Sequence, residues 1–525
     1  MRGAKQMQQM RKSASELFGP AGTPKVIVVG AGLGGVAAGV KLKKAGIETF
    51  TIFERSPSPG GTWWDNQYPG CEVDVGSYLY SYSFKQRYRW TRSHAKQPEL
   101  LRYIEEVIDE QGLRDHIVLG TSVESAIWDE ARHIYRVHLS DGTVEECHVL
   151  ISAVGFLNTP RYPDWPGLDD FKGPKFHTFR WEHEHDLHDK RVAIVGTGST
   201  STQIVAAIAP DIEKLFVFQR EPGWIIPKGD HDFTEEDLAK FQRAVPRRRE
   251  RIRLYTWLEM ANFRRAIHCP GTKVNANLEN ICRGFMEAEL ADRPDLLEAV
   301  TPNYPFPGKR PIFNQTFYAA LKRDNVTLVP RAVTSVTPTG IVDAEGDEYP
   351  VDVLVLATGF QPTNYLASLE VTGRDGRTLH EVWRGEPEAF LGMTVPGFPN
   401  FFMLYGPNTN GGEIISFLEH QSSYAVRAMK RMQREGVTAI EVRPSVFRAY
   451  NRWIQRNMRG TAWVVSNNYY KAATGKIVTQ WPHGALLYQF LTNVSGRLSS
   501  TARRAVGATT SLPPAREPAV PSTAA

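Results

Sequence analysis

Cysteine is scarce in this chain. It has four in 525 residues, Cys71, Cys147, Cys269 and Cys282, with no CxxC pair. That excludes a dithiol redox centre of the disulfide-reductase kind and a zinc knuckle, and it suits a reducing compartment. An excess of one charge is also lacking. The 62 Lys and Arg against 57 Asp and Glu leave a net +5, too balanced to argue for nucleic acid. The one dense basic run, RRRERIR (247–253), reads as the solvated face of a helix. No stretch of about 20 apolar residues is present to span a bilayer. The N-terminal MRGAKQMQQMRKSASELF carries charge but no apolar core, unlike a signal peptide. These absences predict a soluble, cytoplasmic protein with no membrane or nucleic-acid partner.

What is present is a globular composition, 42% hydrophobic and 23% charged, at a length that suits two or three domains. Between a polar N-terminal extension (1–24, at most a loose helix) and the end, short β-rich runs alternate with helical patterns, the α/β signature. Residues 231–300 break the alternation. They are rich in charged and helix-forming residues and read as a helical insertion. From Ser499 to 525 the chain is rich in Ala, Pro, Ser and Thr and reads as a disordered tail.

Two runs share one form: KVIVVGAGLGG (25–35) and RVAIVGTGSTS (191–201) each give an apolar strand, a Gly-rich turn and a small-residue helix start. In the first, Gly30 permits the tight turn, Gly32 lets a pyrophosphate approach the backbone, and Gly35 lets the helix pack on the strand. The helix N-terminus then faces the phosphates. About 20 residues on, TFTIFER ends the next strand with Glu54, placed to hold ribose hydroxyls. The second motif offers Gly196, Thr197, Gly198 and Ser199, with Ser201 where Gly or Ala is usual, and its next strand, KLFVFQR, ends in Arg220. An acid there repels a 2′-phosphate and an arginine binds one, so the first site suits FAD or NAD and the second NADPH. Two such sites in one chain suit hydride transfer from NADPH to a bound flavin. VLVLATGF (353–360) brings Ala357, Thr358 and Gly359 close to a nucleotide, while its counterpart VLISAVGF (149–156) has Val154 where Thr would stand.

FKGPKFHTFRW (171–181) has the spacing Phe-x-Gly-xxx-His-xxx-Trp, through Phe171, Gly173, His177 and Trp181. GGTWWDNQYPGCEVD (60–74) carries Gly60, Gly61, Trp63, Tyr68, Pro69, Gly70 and Asp74. Together with FQREPGW, YPFPGKRP (304–311) and YGPNTNGG (405–412), these stretches resemble the Baeyer–Villiger monooxygenases over roughly residues 24–490. Glu182 departs from the Pro or Asp usual after the Trp.

The resemblance implies an α/β fold with two Rossmann-like dinucleotide-binding domains and a helical insertion. FAD would be held by residues 25–160 and 386–498, and NADPH by residues 161–385 with the insertion at about 231–300. It implies FAD contacts at Gly61, Thr62, Trp63, Asp74 and Tyr80. It also implies oxygen insertion beside a ketone by a flavin C4a-peroxide formed from O₂, giving esters or lactones. Arg310 would hold the peroxyanion, Asp74 would position Arg310, Lys309 would hold the NADPH phosphate, and His177 and Trp181 would couple a hinge to the active site. The rival is an S- or N-oxygenase of the flavin-containing monooxygenase type, against which Trp181 and the Lys309–Arg310 pair speak. HEHDLHD (183–189) groups His183, His185 and His188, but nothing else supplies the ligands of a complete site, so no metal is expected. Residue spacing carries no information on which ketone is used or on the oligomeric state.

Overall fold

The computed structural model describes residues 17–19, 22–263 and 265–505. The expectations for residues 1–16 and 506–525 lie outside the described residues.

Two five-stranded parallel sheets carry the molecule. The first runs Phe401–Met403, Val149–Ser152, Val26–Val29, Phe50–Phe53, Ile117–Val118, with all four pairings parallel. The second runs Lys175–His177, Val353–Leu356, Arg191–Val195, Lys214–Phe218, Val326–Val329, again all parallel. Helices cover such strands on both sides, which is why VIVV and VLVL are apolar at every position rather than alternating. Each sheet has a glycine-motif strand at its centre, and each unit inserts a small antiparallel sheet before the third strand that follows its glycine-motif strand in the chain. In the first unit this insert is Val123–Asp129, Ile134–Leu139 and Val144–Cys147. In the second it is Val333–Thr337, Gly340–Asp343 and Glu348–Pro350. The duplication therefore extends over whole units, well beyond the two glycine motifs.

Between strands of the second unit lie the helices Glu235–Gln242, Ala244–Phe263, Lys273–Glu289 and Pro294–Val300. Thr234 and Thr272 cap two of them with side-chain oxygens. The basic run sits on the second of these helices. Arg248 and Arg249 are exposed there, but Arg251 turns inward and donates to the carbonyls of Tyr78 and Ser81, each at 2.9 Å. The helix Ile414–Glu435 packs on Leu33–Lys44 and closes the first unit. Among the described residues no helix is long and apolar enough to cross a membrane.

Three boundaries differ from the sequence reading. The strand Glu370–Thr372 pairs in parallel with Ser125–Ile127, so the chain returns to the first unit before residue 386. The tail expected from Ser499 begins with the strand Ser500–Arg503, antiparallel to Ala439–Val442. Pairing with a partner some 60 positions away orders a segment whose own composition would not. Lys175–His177, read as part of a connecting segment, is the edge strand of the second sheet.

Candidate active site

The first glycine motif is built for close packing. Gly30 has φ +101°, and a β-carbon there would lie 2.8 Å from the Ala153 carbonyl. A β-carbon on Gly35 would lie 1.8 Å from the Gly30 carbonyl oxygen, so the helix meets the strand at that residue. Gly32 touches Gly61 of the second glycine pair. Trp63, in the short helix Thr62–Asp65, donates its indole N–H to the Tyr80 hydroxyl at 3.2 Å. Glu54 is buried at the strand end. Its carboxylate accepts the backbone N–H groups of Ala31 at 2.7 Å and Ser56 at 2.9 Å, which fixes it at the turn.

The second motif is looser. Gly196, with φ +112°, repeats the role of Gly30 against the Ala357 carbonyl, at 2.5 Å for an added β-carbon. Ser201 is fully buried where the first unit has Gly35, and its hydroxyl has no partner, so this helix stands farther from its strand. A β-carbon on Gly198 would meet nothing within 4 Å, which leaves room over the backbone. Both motif helices, Leu33–Lys44 and Ser199–Ile208, begin at a glycine with no side-chain cap. Their first N–H groups are left for an anion, in contrast to the capped insertion helices. The residues therefore fit two dinucleotides.

Both units open onto one cleft of about 790 Å³. Of the residues expected at the site, Gly30, Gly32, Glu54, Gly61, Thr62, Trp63, Asp74 and Tyr80 line it from the first unit. Gly198, Ser199, Arg220, Lys309, Arg310 and Ala357–Gly359 line it from the second. Gly35, Gly196 and Thr197 lie behind the wall; the first two shape the turns.

Arg310 reaches across to the first unit and donates to Asp74 Oδ2 at 2.5 Å. It is enclosed by the walls yet faces the cleft, which leaves 43% of its side chain accessible. The Asp74 charge raises its pKa further, against burial, so it is a permanent cation. Burial pulls the Asp74 carboxyl up, but the Arg310 charge and hydrogen bond outweigh it and hold the group below the usual carboxylate range. Lys309 donates to Glu221 and lies 4.8 Å from the centre of the Tyr304 ring. Arg220 is exposed, and among the described residues it has no ion-pair partner.

The fingerprint residues are not in the cleft wall. His177 is 3% exposed, at the end of its strand. Its Nε2–H donates to the Gly359 carbonyl at 3.1 Å and its Nδ1 accepts the Phe179 N–H at 3.0 Å, so the tautomer is fixed from both sides. Burial pushes its pKa down to about 4, with the Gly359 bond opposing, and the ring is neutral. Gly359 also accepts the Arg161 N–H at 2.8 Å, so both ends of the linker are pinned to the Ala357–Gly359 turn. Trp181 packs edge-on against Phe176, centroids 5.0 Å apart. His177 and Trp181, expected to couple a hinge to the active site, do not line the cleft. The β-edge strand buries His177 behind the wall, Trp181 is half-buried against Phe176, and the neighbouring Thr178 and Phe179 face the cleft.

In HEHDLHD, only His185 joins a cluster. Its ligand atom and those of Glu182 and Glu184 lie within 4.8 Å of one another, with Glu182 bonded to His185 at 3.0 Å. His188 pairs with Asp189 instead.

The sequence reading missed Glu221, Tyr405, Asn410 and Tyr469, all in the cleft wall. Tyr405 and Asn410 lie in the quoted YGPNTNGG stretch and are joined by a 3.0 Å hydrogen bond. Glu221 stands beside Arg220, where a charge of opposite sign was its one signal. Tyr469 had none.

Two dinucleotide units that share one cleft, with a fixed cation between them and no dithiol, define a flavin- and nicotinamide-dependent oxidoreductase. Residues 27–232 match the family described as pyridine nucleotide-disulphide oxidoreductase. The chain is 35% identical over 476 residues to a Baeyer-Villiger monooxygenase of Pseudomonas aeruginosa, with 89% of each chain covered. It is 37% identical over 467 residues to one of Streptomyces coelicolor, covering 87% of this chain and 88% of that one. Among solved structures, OTEMO in complex with FAD and NADP gives a TM-score of 0.83 at 27% identity, over 91% of this chain and 99% of that one. A closed cyclohexanone monooxygenase gives 0.83 at 28%, over 92% and 99%. The chain belongs to the Baeyer–Villiger monooxygenases. It is an FAD-dependent monooxygenase that uses NADPH and acts on a small molecule.

Proposed function

We propose that the cleft converts a ketone and O₂ to an ester or lactone, with Arg310 holding negative charge at the reacting centre and Asp74 positioning it. Solved relatives named for cyclohexanone and for steroids support a ketone as the substrate class. NADPH supplies two electrons; one oxygen atom enters the bond beside the carbonyl and the other leaves as water. FAD, when bound, supplies the activation of O₂. The chain supplies the rest. Attack on a carbonyl builds negative charge on oxygen, and a preorganised cation in a walled cleft stabilises it. A guanidinium suits because it stays protonated when desolvated.

FAD would be held by the first unit, with the start of Leu33–Lys44 taking the pyrophosphate and Glu54 the ribose hydroxyls. NADPH would be held by the second, with Gly198–Ser199 taking the pyrophosphate and Arg220 and Lys309 the 2′-phosphate. His177 positions the turn at Gly359 from behind the cleft wall and would act on the nucleotides through that turn.

The observation that carries this reading is the Asp74–Arg310 contact, a cation of one unit fixed by a carboxylate of the other inside the shared cleft. A panel of cyclic and linear ketones with a thioether control tests it, following NADPH oxidation, O₂ uptake and products. Ester or lactone in proportion to NADPH supports the proposal. Sulfoxide with no ketone turnover would identify an S-oxygenase instead.

A further inference from the structure

We infer that Glu221 is a specificity-determining residue for the coenzyme: an acid built into the 2′-phosphate cradle that occupies Lys309 and must yield it when NADPH binds. This rests on the assignment of Arg220 and Lys309 to the 2′-phosphate proposed above.

The strand Lys214–Phe218 delivers Arg220 and Glu221 in succession to the cleft wall. Their charges are opposite and so are their surroundings. Arg220 is exposed and, among the described residues, without an ion-pair partner, open to an anion. Glu221 accepts from the Lys309 ammonium. The lysine is held from the other side by the Tyr304 ring, 4.8 Å away. Tyr304 is itself tied back by its hydroxyl to the Pro222 carbonyl at 3.1 Å. The contact is only partly shielded, with 22% of the lysine and 34% of the glutamate side chain accessible. The lysine can therefore change partners without local unfolding.

A phosphate monoester carries nearly two negative charges at neutral pH. Seated on Arg220, it places Lys309 between two competing anions. Whatever share of the lysine the phosphate gains, Glu221 loses, and a carboxylate beside a phosphate repels it. NADH has no 2′-phosphate and does not contest the pair. Glu221 thus lowers affinity for the phosphorylated coenzyme selectively and narrows the preference that Arg220 creates.

Binding of NADP⁺ and NAD⁺ to the FAD-loaded protein, measured by titration calorimetry, tests this without reference to turnover. Glu221→Gln keeps the size and removes the charge. It should tighten NADP⁺ roughly three- to tenfold, the range of a partly exposed charge pair, and move NAD⁺ by about twofold at most. In a Lys309→Met background the same substitution relieves the direct repulsion but frees no lysine, so it should gain less than in the wild type. Glu221→Ser repeats the test with a smaller side chain, and FAD content and Tm verify folding. Unchanged or weaker NADP⁺ binding in the FAD-loaded Glu221 variants overturns the role of Glu221 and leaves the coenzyme assignment standing. A wild-type protein that binds NAD⁺ as tightly as NADP⁺ overturns the assignment itself, and this inference with it.

Discussion

Alanine at 310 removes a cation that is fixed by a 2.5 Å contact to Asp74. Two effects follow, and they separate experimentally. The first is catalytic. Losing one preorganised charge contact should cost on the order of 10²–10³ in oxygenation, and O₂ still consumed should leave as hydrogen peroxide. The second falls on Asp74. In the wild type burial raises its pKa and Arg310 more than reverses this. A depressed carboxylate pKa stabilises the fold above the ordinary carboxylate range and loses that stability as pH falls through the folded value. Without Arg310 burial is opposed by the Lys228 charge and a backbone hydrogen bond and no longer by the guanidinium, so the variant should lose Tm at neutral pH and lose less on acidification. Since 43% of the arginine is accessible, solvent screening limits the neutral-pH cost to about 1 kcal/mol. Arg310→Ala with Asp74→Asn removes the stranded charge, and should recover the Tm but not the ester. Rapid mixing of the reduced, FAD-loaded variants with O₂ and product analysis on a good ketone provide the assay. Near wild-type ester formation by Arg310→Ala refutes the reasoning. Recovery of ester formation in the double variant also refutes it, because Arg310 would then matter only as the counter-ion of Asp74.

Arg220→Ala should raise KM for NADPH about ten- to a hundredfold, the worth of a charge-assisted phosphate contact, with little change for NADH; equal losses show that Arg220 does not read the phosphate. His177→Ala should retain FAD yet turn over more slowly or uncouple NADPH oxidation from product. Because the buried ring has a pKa near 4 against 6.5, the wild type loses up to about 3 kcal/mol through it as pH falls from 6.5 to 4. The variant's Tm should fall less steeply over that window, and identical slopes would place the proton elsewhere. Gly35→Ala drives a β-carbon to 1.8 Å from the Gly30 carbonyl and should cost at least roughly 1–3 kcal/mol with loss of FAD. Gly198→Ala meets open space, so it should keep its Tm and weaken NADP⁺, as calorimetry would show.

The parts legible in the sequence are those whose signal is local. A four-residue apolar strand, a glycine turn and a small-residue helix lie within a dozen positions of one another, so both nucleotide units and their opposite charges, Glu54 and Arg220, could be read directly. The helical insertion was legible for the same reason. What escaped depends on partners distant in the chain. Lys175–His177 is three residues long, too short for alternation, and is a strand only because Val353–Leu356 lies beside it. Ser500–Arg503 is ordered by Ala439–Val442. The placement of His177 behind the wall follows from that edge strand, which no spacing in the fingerprint encodes. Glu221 needed Lys309, 88 residues away, to acquire a meaning.

The segment that ends in Asp74 carries a further consequence of such distant contacts. Residues 68–74 belong to the first unit but are seated on the second. Tyr68 donates its hydroxyl to Gln203 Oε1 at 3.0 Å, and Gln203 in turn donates to the Glu72 carbonyl at 3.1 Å. Glu72 pairs at 2.8 Å with Lys228, whose side chain is 1% exposed. A β-carbon at Gly70 would lie 2.8 Å from the Gln203 carbonyl, so this backbone approach admits only glycine. Gln203 sits on Ser199–Ile208, the helix whose uncapped start is proposed to hold the coenzyme pyrophosphate. The orientation of the NADPH helix and the position of Asp74 are therefore one geometric variable, set by the Tyr-Pro-Gly segment. Asp74 in turn sets Arg310. A rotation of the second unit that moved the coenzyme would break these contacts and the Asp74–Arg310 pair together. The Tyr68–Asp74 end of the long pattern is explained by this coupling: Tyr68 and Gly70 fix where the second unit stands, and Asp74 passes that position on to the cation in the cleft.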